Sequence, residues 1–270
     1  MNYTYLSETI GIKTVSEDAK KGIFEIEGLY SGYGLTIGNA IRRALLSSLP
    51  GAAVTYIKIK NAQHEFSTLP GLKEDLVDLT LNFKRIRFKM HTDETQILTL
   101  KIKGEKEVTA GDIKTSSVVE VANPDEHVAS MTSKNAELDI EITVEKGLGY
   151  SSVESRKEKK LTVGLIGIDA FFSPVRKVNY TIENMRVGEH TDYNRLRVEI
   201  ETDGTVSPSS ALHKTANILN DHFQKVSAVQ VQEFEMAGAK SSKHTKKEKE
   251  NEETPKKKGR SPKKNVESSK

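Results

Sequence analysis

The chain has no cysteine and no tryptophan, and no apolar run in it is long enough to cross a bilayer. The absence of thiols excludes disulfides, thiolate metal sites and a cysteine nucleophile, and it fits a reducing cytoplasmic setting. The N-terminus lacks a signal-peptide pattern, so no membrane partner is expected. Metal-ligand spacing is missing too: the histidines at 64, 91, 127, 190, 213, 222 and 244 are scattered singly, as surface or packed residues are. No serine stands in a nucleophile-elbow context. The acidic residues mostly alternate with apolar ones along strand-like runs, which is the pattern of a solvated sheet face rather than of general acid–base catalysis. Neither a catalytic constellation nor a metal or cofactor site is expected on this chain.

What the chain does have is length, an uneven charge and one dense stretch. Its 270 residues give room for one or two domains and a real core. The net charge of +3 hides an asymmetry. Residues 239–270 hold 12 Lys and Arg against 5 Asp and Glu, which leaves 29 against 33 on the rest. The basicity lives in the tail, and a broad nucleic-acid-binding face on the body is not indicated. From Gly238 onward the composition is Lys, Glu, Ser, Thr and Pro without periodicity, so 236–270 is expected to be a disordered Lys-rich tail.

The dense stretch is 28–49, where a strand pattern runs into a glycine-rich turn and a helix leaves it. Ile37, Ile41, Ala44, Leu45 and Ser48 recur at the spacing of one helix face. At ~100° per residue, Arg42 and Arg43 fall on the other side, and Leu46 falls with them. A solvated face has no need of a leucine beside two arginines. The helix is therefore read as covered on both sides, by its own core or a twin subunit on one and by a different protein on the other. Pro50-Gly51 ends it. Gly32, Gly34 and Gly38 invite a nucleotide-loop reading, but the spacing is not G-x-G-x-x-G and no Gly-Lys-Ser/Thr follows. Glycines that permit a tight turn and a close helix approach fit better.

Elsewhere period-2 patterns dominate. Strands are expected around 8–17, 23–27 and 52–60, through most of 86–146, and at 178–183 and 195–201. Leu72, Leu76, Leu79 and Phe83 mark a second helix, with Glu74 and Asp75 in its first turn. Residues 147–160 lose periodicity and read as a mobile loop, and 161–174 as a buried irregular connection. Ser207 as N-cap and Pro208 at the first helical position open a long helix. Its stripe is Leu212, Ala216, Leu219, Phe223 and Val226, with Thr215, Ile218 and His222 widening it. A stripe that broad suits a helix that also meets a twin. On these residues alone the chain is a dimerising α+β assembly protein; a stand-alone dimeric adaptor with a basic nucleic-acid-binding tail is the alternative.

Several stretches then carry a resemblance. The run 34–54, His64-Glu65-Phe66-Ser67-Thr68, Glu74-Asp75 with 81–84, Gly147-Leu148-Gly149-Tyr150, Ser173-Pro174-Val175, Thr191-Asp192, 196–205 and the helix after Pro208 closely resemble the alpha-subunit family of bacterial-type, including plastid-type, DNA-directed RNA polymerase. Their order and spacing run through roughly 1–235. The resemblance implies an α+β fold with a discontinuous dimerisation domain at 1–50 and 175–235, built of antiparallel strands and two packed helices. A mostly-β domain at 51–174 would be inserted in it and contact the large subunits. It implies a homodimer on which the beta and beta-prime subunits assemble, not itself catalytic, with the catalytic Mg2+ on a partner subunit, in a cytoplasm or a plastid. By the same resemblance Arg43 contributes to the beta contact with Arg42 and Leu46 beside it, Glu65 lies in a matching partner-facing motif, and Lys84 and Ile168 match positions tied to beta-prime. Ile37, Ile41, Leu45, Leu212, Leu219 and Phe223 are the expected dimer interface. The family usually carries a small helical promoter-binding domain beyond a linker, for which the Lys-rich tail leaves no room. Lys257, Lys258, Arg260, Lys263 and Lys264 instead lie in a stretch that resembles Ser-Pro-Lys-Lys and AT-hook-like tails, expected to attract DNA weakly and without sequence preference.

Overall fold

The computed structural model describes residues 8–62, 64–156 and 164–229. In chain order they form β1 (Gly11–Glu17), β2 (Lys21–Leu29), α1 (Tyr33–Ser47), β3 (Pro50–Ile59), α2 (Leu76–Arg85), β4 (Phe88–Met90), β5 (Gln96–Lys103), β6 (Lys106–Thr109), β7 (Val119–Val121), β8 (His127–Met131), β9 (Glu137–Leu148), β10 (Tyr150–Ser151), β11 (Leu165–Gly167), β12 (Ala170–Phe171), β13 (Val175–Val187), β14 (His190–Thr202) and α3 (Pro208–Ser227). The tail residues 257–264 lie outside the described residues.

Two large hydrophobic cores, with a small third cluster of Ala53, Ala170 and Phe172, organise these elements. The first lobe is an antiparallel sheet of order β1-β2-β14-β13. Alternation sends Phe24, Ile26, Leu196, Val198 and Ile200 to one face, where Ile41 and Leu45 of α1 and Ala211 of α3 cover them. The opposite face is wet and charged: Arg195 pairs with Glu27 at 3.0 Å and Arg197 with Glu25 at 3.4 Å across the strands. The second lobe centres on a sheet of order β5-β9-β3-β4-β7, with β11 also on β3. Its core holds Ile57, Leu98, Leu100, Ile140 and Ile142 under Leu76, Leu79 and Phe83 of α2. The chain passes between the lobes at Leu49-Pro50 and again at Pro174-Val175.

Two sequence expectations change. The second helix begins at Leu76, not Leu72, because Asp75 is its N-cap and accepts the Asp78 amide at 2.7 Å. Leu72 instead bridges to Met131 of β8. Residues 147–156 are not a mobile loop. Tyr150-Ser151 pairs with Ala170-Phe171, and Arg156 donates to the Thr55 carbonyl at 3.3 Å and to the Ile168 carbonyl while lying over the Tyr56 ring. Short strands held by one side-chain anchor leave no periodicity to read.

Candidate functional site

The site is built on α1. The chain leaves β2 through Gly28 and turns at Gly32, both at positive φ (73° and 85°), a conformation side chains resist. Gly34 and Gly38 then let the helix lie against the sheet. A Cβ at Gly34 would stand 3.0 Å from the Asn194 and Ile182 side chains, and one at Gly38 2.9 Å from Leu196 and Tyr180. Asn194 Oδ1 accepts the Gly32 amide at 3.0 Å and the Gly34 amide at 3.4 Å. The Gly32 and Gly34 amides at the positive end of α1 are thus taken up by β14, which counts against the nucleotide-loop reading.

Ile41 and Leu45 are 7% and 0% exposed inside the monomer's own core. They were expected in a dimer interface, and that assignment is corrected: they hold α1 down and present no surface. Ile37 is half-buried against the same core. The other side of α1 presents Arg43, with Leu46 one turn on, Arg42 at its margin and Leu35 two turns back. Leu46 is 37% exposed and Leu35 60%. Among the described residues neither guanidinium has an ion-pair or hydrogen-bond partner. A cavity beside Arg42 is lined by Asn179, Tyr180, Thr181 and Glu199. Leu35 was missed because it precedes the arginine pair and lies inside the glycine turn motif, where an apolar residue reads as core.

The last helix is capped by Ser207, whose Oγ accepts the Ser210 amide. Ala211 and Thr215 are buried, while Leu212, Ile218 and Leu219 are half-buried against the first core. Beyond Leu219 every described residue is exposed, including Phe223, Val226 and Val229 at 63–71%. The apolar stripe therefore outruns the core it covers, and its unpartnered half is the Phe223 end.

Lys84, at the end of α2, is ion-paired with Asp169 at 3.6 Å. The Val153 amide donates to Asp169 Oδ1 at 3.0 Å. That hydrogen bond, with Tyr150 and Lys84 adding to it and partial burial opposing, holds the Asp169 carboxyl below its ordinary range. Ile168 is 4% exposed inside the second core, so its assignment as a partner contact is corrected. Its carbonyl anchors Arg156, and its amide donates to the Thr55 carbonyl. Glu65 is exposed on the loop after β3, beside Phe66 at 76% exposure. Lys84 and Glu65 are not brought next to Arg43 by any described contact. No three or more His, Cys, Asp or Glu side chains gather as a metal site among the described residues.

Comparison with known proteins adds to this geometry. Residues 57–173 match the family model described as the RNA polymerase Rpb3/RpoA insert domain. The chain is similar to proteins named DNA-directed RNA polymerase subunit alpha. The one from Symbiobacterium thermophilum is 49% identical over 215 residues, covering 79% of this chain and 68% of the relative. Those from Desulforamulus reducens (47% over 215 residues, 80% and 68%) and Chloroherpeton thalassium (43% over 234 residues, 85% and 71%) match similarly. This chain spans about two thirds of the length of such relatives.

Proposed function

The chain belongs to the family of DNA-directed RNA polymerase alpha subunits, and from that premise we propose that it is the polymerase's non-catalytic assembly subunit, a homodimer on which the beta and beta-prime subunits gather. Twin copies meet through the exposed end of α3, with Leu212 and Leu219 at its base, Phe223 and Val226 at its centre and Ile37 of α1 alongside. Each copy then offers the same outward ridge to a larger protein, one to beta and the other to beta-prime. The observation that carries this reading is the ridge itself. Arg43 and Leu46 face outward on a helix whose other side is locked, and no described residue pairs with the guanidinium. An Arg fork meets a carboxylate or backbone carbonyls bidentately, and a leucine beside it dries the contact.

Lys84, Asp169 and Tyr150 form the beta-prime contact, with Glu65 and Phe66 on the neighbouring loop as further contacts. We assign no cofactor to this chain and place the Mg2+ of nucleotidyl transfer on a partner subunit. The Lys257–Lys264 stretch supplies weak, salt-sensitive DNA attraction, tested by comparing the full chain with 1–238 at low salt; equal affinity ends that part of the reading.

Co-expression with the two large subunits tests the rest. Truncating an Arg that is buried on assembly costs ~2–5 kcal/mol. Arg43→Ala is expected to leave the dimer intact by light scattering and to lose most captured beta. Recovery of beta at wild-type yield would overturn the assignment.

A further inference from the structure

The two lobes have separate hydrophobic cores with no residue in common. A cleft of about 230 Å3, lined by Gly51, Phe88, Lys146, Val206 and Lys214 among others, runs between them. Lobes joined without a large apolar interface move relative to one another unless something fixes them. An ion pair between a half-buried arginine and a buried aspartate crosses this boundary. Arg87, just before β4 in the second lobe, has its Nε 3.9 Å from Asp203 Oδ2 on the turn between β14 and α3 in the first. Their side chains are 14% and 6% exposed.

Arg87 is anchored within the second lobe, Asp203 is held by Thr205 within the first, and the Asp203 amide also reaches Pro174 at the crossing. Arg87 Nη1 donates to the Phe171 carbonyl at 3.4 Å, and the guanidinium lies 5.9 Å from the Phe171 ring centre. Asp203 Oδ1 accepts from the Thr205 amide at 3.0 Å and its hydroxyl at 2.6 Å, and the Asp203 amide donates to Pro174 at 2.9 Å. Arg87 Nε has no hydrogen-bond partner, so Asp203 is its closest countercharge. Burial lowers the Arg87 pKa against attraction from Asp203, with smaller contributions from Arg176 and Glu126, but a guanidinium stays charged at physiological pH.

We propose that Arg87 and Asp203 form a positioning pair that fixes the angle between the lobes, so that the α1 ridge and the Lys84 patch reach their partners in one register. The fixed angle stands on this geometry alone; its consequence for assembly rests on the function proposed above.

The cysteine-free chain makes the test direct. Spin labels at Lys103→Cys on β5 and Lys177→Cys on β13, diluted with unlabelled chain, report the distance between lobes. The parent chain should give one narrow distribution. Asp203→Asn keeps the acceptor for Thr205 and removes the charge. It should broaden the distribution while circular dichroism and cooperative unfolding persist, whereas Arg87→Lys alone, which keeps a charge opposite Asp203, should retain most of the narrowness. If the competent angle falls to about a tenth of the population, apparent affinity for the large subunits falls about tenfold with the dimer unchanged. An unaltered narrow distribution in Asp203→Asn overturns the proposal. Should that variant fail to fold, Arg87→Met combined with Asp203→Asn leaves no buried charge, and its distribution decides: broad supports the pair, narrow overturns it. Broad distances with undiminished assembly would support the pair and count instead against the partner surfaces.

Discussion

Replacing Asn194 by leucine should loosen α1 while leaving its ridge chemically intact. Asn194 is buried at 8% exposure, and its Oδ1 is the acceptor for the Gly32 and Gly34 amides. Leucine has similar bulk and no acceptor. Gly32 is exposed and can turn to water, so its loss is small. Gly34 is buried, and stranding its amide costs ~1–3 kcal/mol. The sum is about 1.5–3 kcal/mol, or roughly 3–12 °C in Tm for a body of this size. Asn194→Asp separates this cause from crowding. A carboxylate keeps the acceptor and faces the positive end of α1, a gain of about 0.3–1 kcal/mol. Asn184, now 3.3 Å from Asn194 Nδ2 through its Oδ1, can rotate its amide to donate instead. Urea unfolding followed by circular dichroism measures both variants. A leucine variant within about 0.5 kcal/mol of the parent, or an aspartate variant as unstable as the leucine one, would refute the capping account.

Other expectations are equally direct. Gly38→Val should destabilise by about 1–3 kcal/mol, since its Cβ meets Leu196 and Tyr180 at 2.9 Å between two elements that cannot part; an unchanged urea midpoint would contradict the close-approach role. Phe223→Asp should yield a monomer by light scattering with unchanged helix content, because the side chain is 63% exposed in the isolated chain. Ile168→Ala should lose about 2–5 kcal/mol of stability as a core cavity, whereas Leu46→Ala should lose partner capture with little change in Tm. Acid should also weaken the fold. Burial raises the Glu74 pKa, but hydrogen bonds from Ser130 and His127 outweigh it and leave the carboxyl below its usual 4.5. A lowered folded pKa gives stability that is full above the unfolded value and lost as pH falls through the folded one. Glu74→Gln should therefore flatten stability against pH below about 5, read from urea midpoints.

Much of the fold was legible because period-2 runs are long here. The alternation through 137–145 and 195–201 became β9 and β14, whose inward residues are the two cores. The glycines of 32–38 were legible as packing devices because their spacing failed every phosphate-loop template. What stayed hidden was nonlocal. Nothing near Asp75 says that Leu72 belongs to a bridge with Met131, and nothing in 147–156 announces that Arg156 reaches back to Thr55. On the site, periodicity could place Arg43 and Leu46 outward, since one helix fixes both. It could not say whether the opposite stripe served a core or a twin, and the structure gives Ile41 and Leu45 to the core. Ile168 came from resemblance alone; matching a position does not show whether it acts by touching a partner or by supporting what does.

The contrast between these residues locates where freedom remains in the molecule. The Arg43 ridge rides on a helix clamped at its start by Asn194, along its length by two glycine contacts and beneath by Ile41 and Leu45. The Lys84 patch is clamped as firmly, through Asp169 to Val153 and through Arg156 to β3 and Ile168. Contacts held on rigid elements bind with little ordering cost only if the elements themselves are fixed relative to each other. The two crossings, at Leu49-Pro50 and Pro174-Val175, join lobes whose main cores share no residue. A protein that must present both surfaces to large partners at once therefore concentrates its remaining degree of freedom at the lobe boundary, where the charged contact between Arg87 and Asp203 has leverage large for its size.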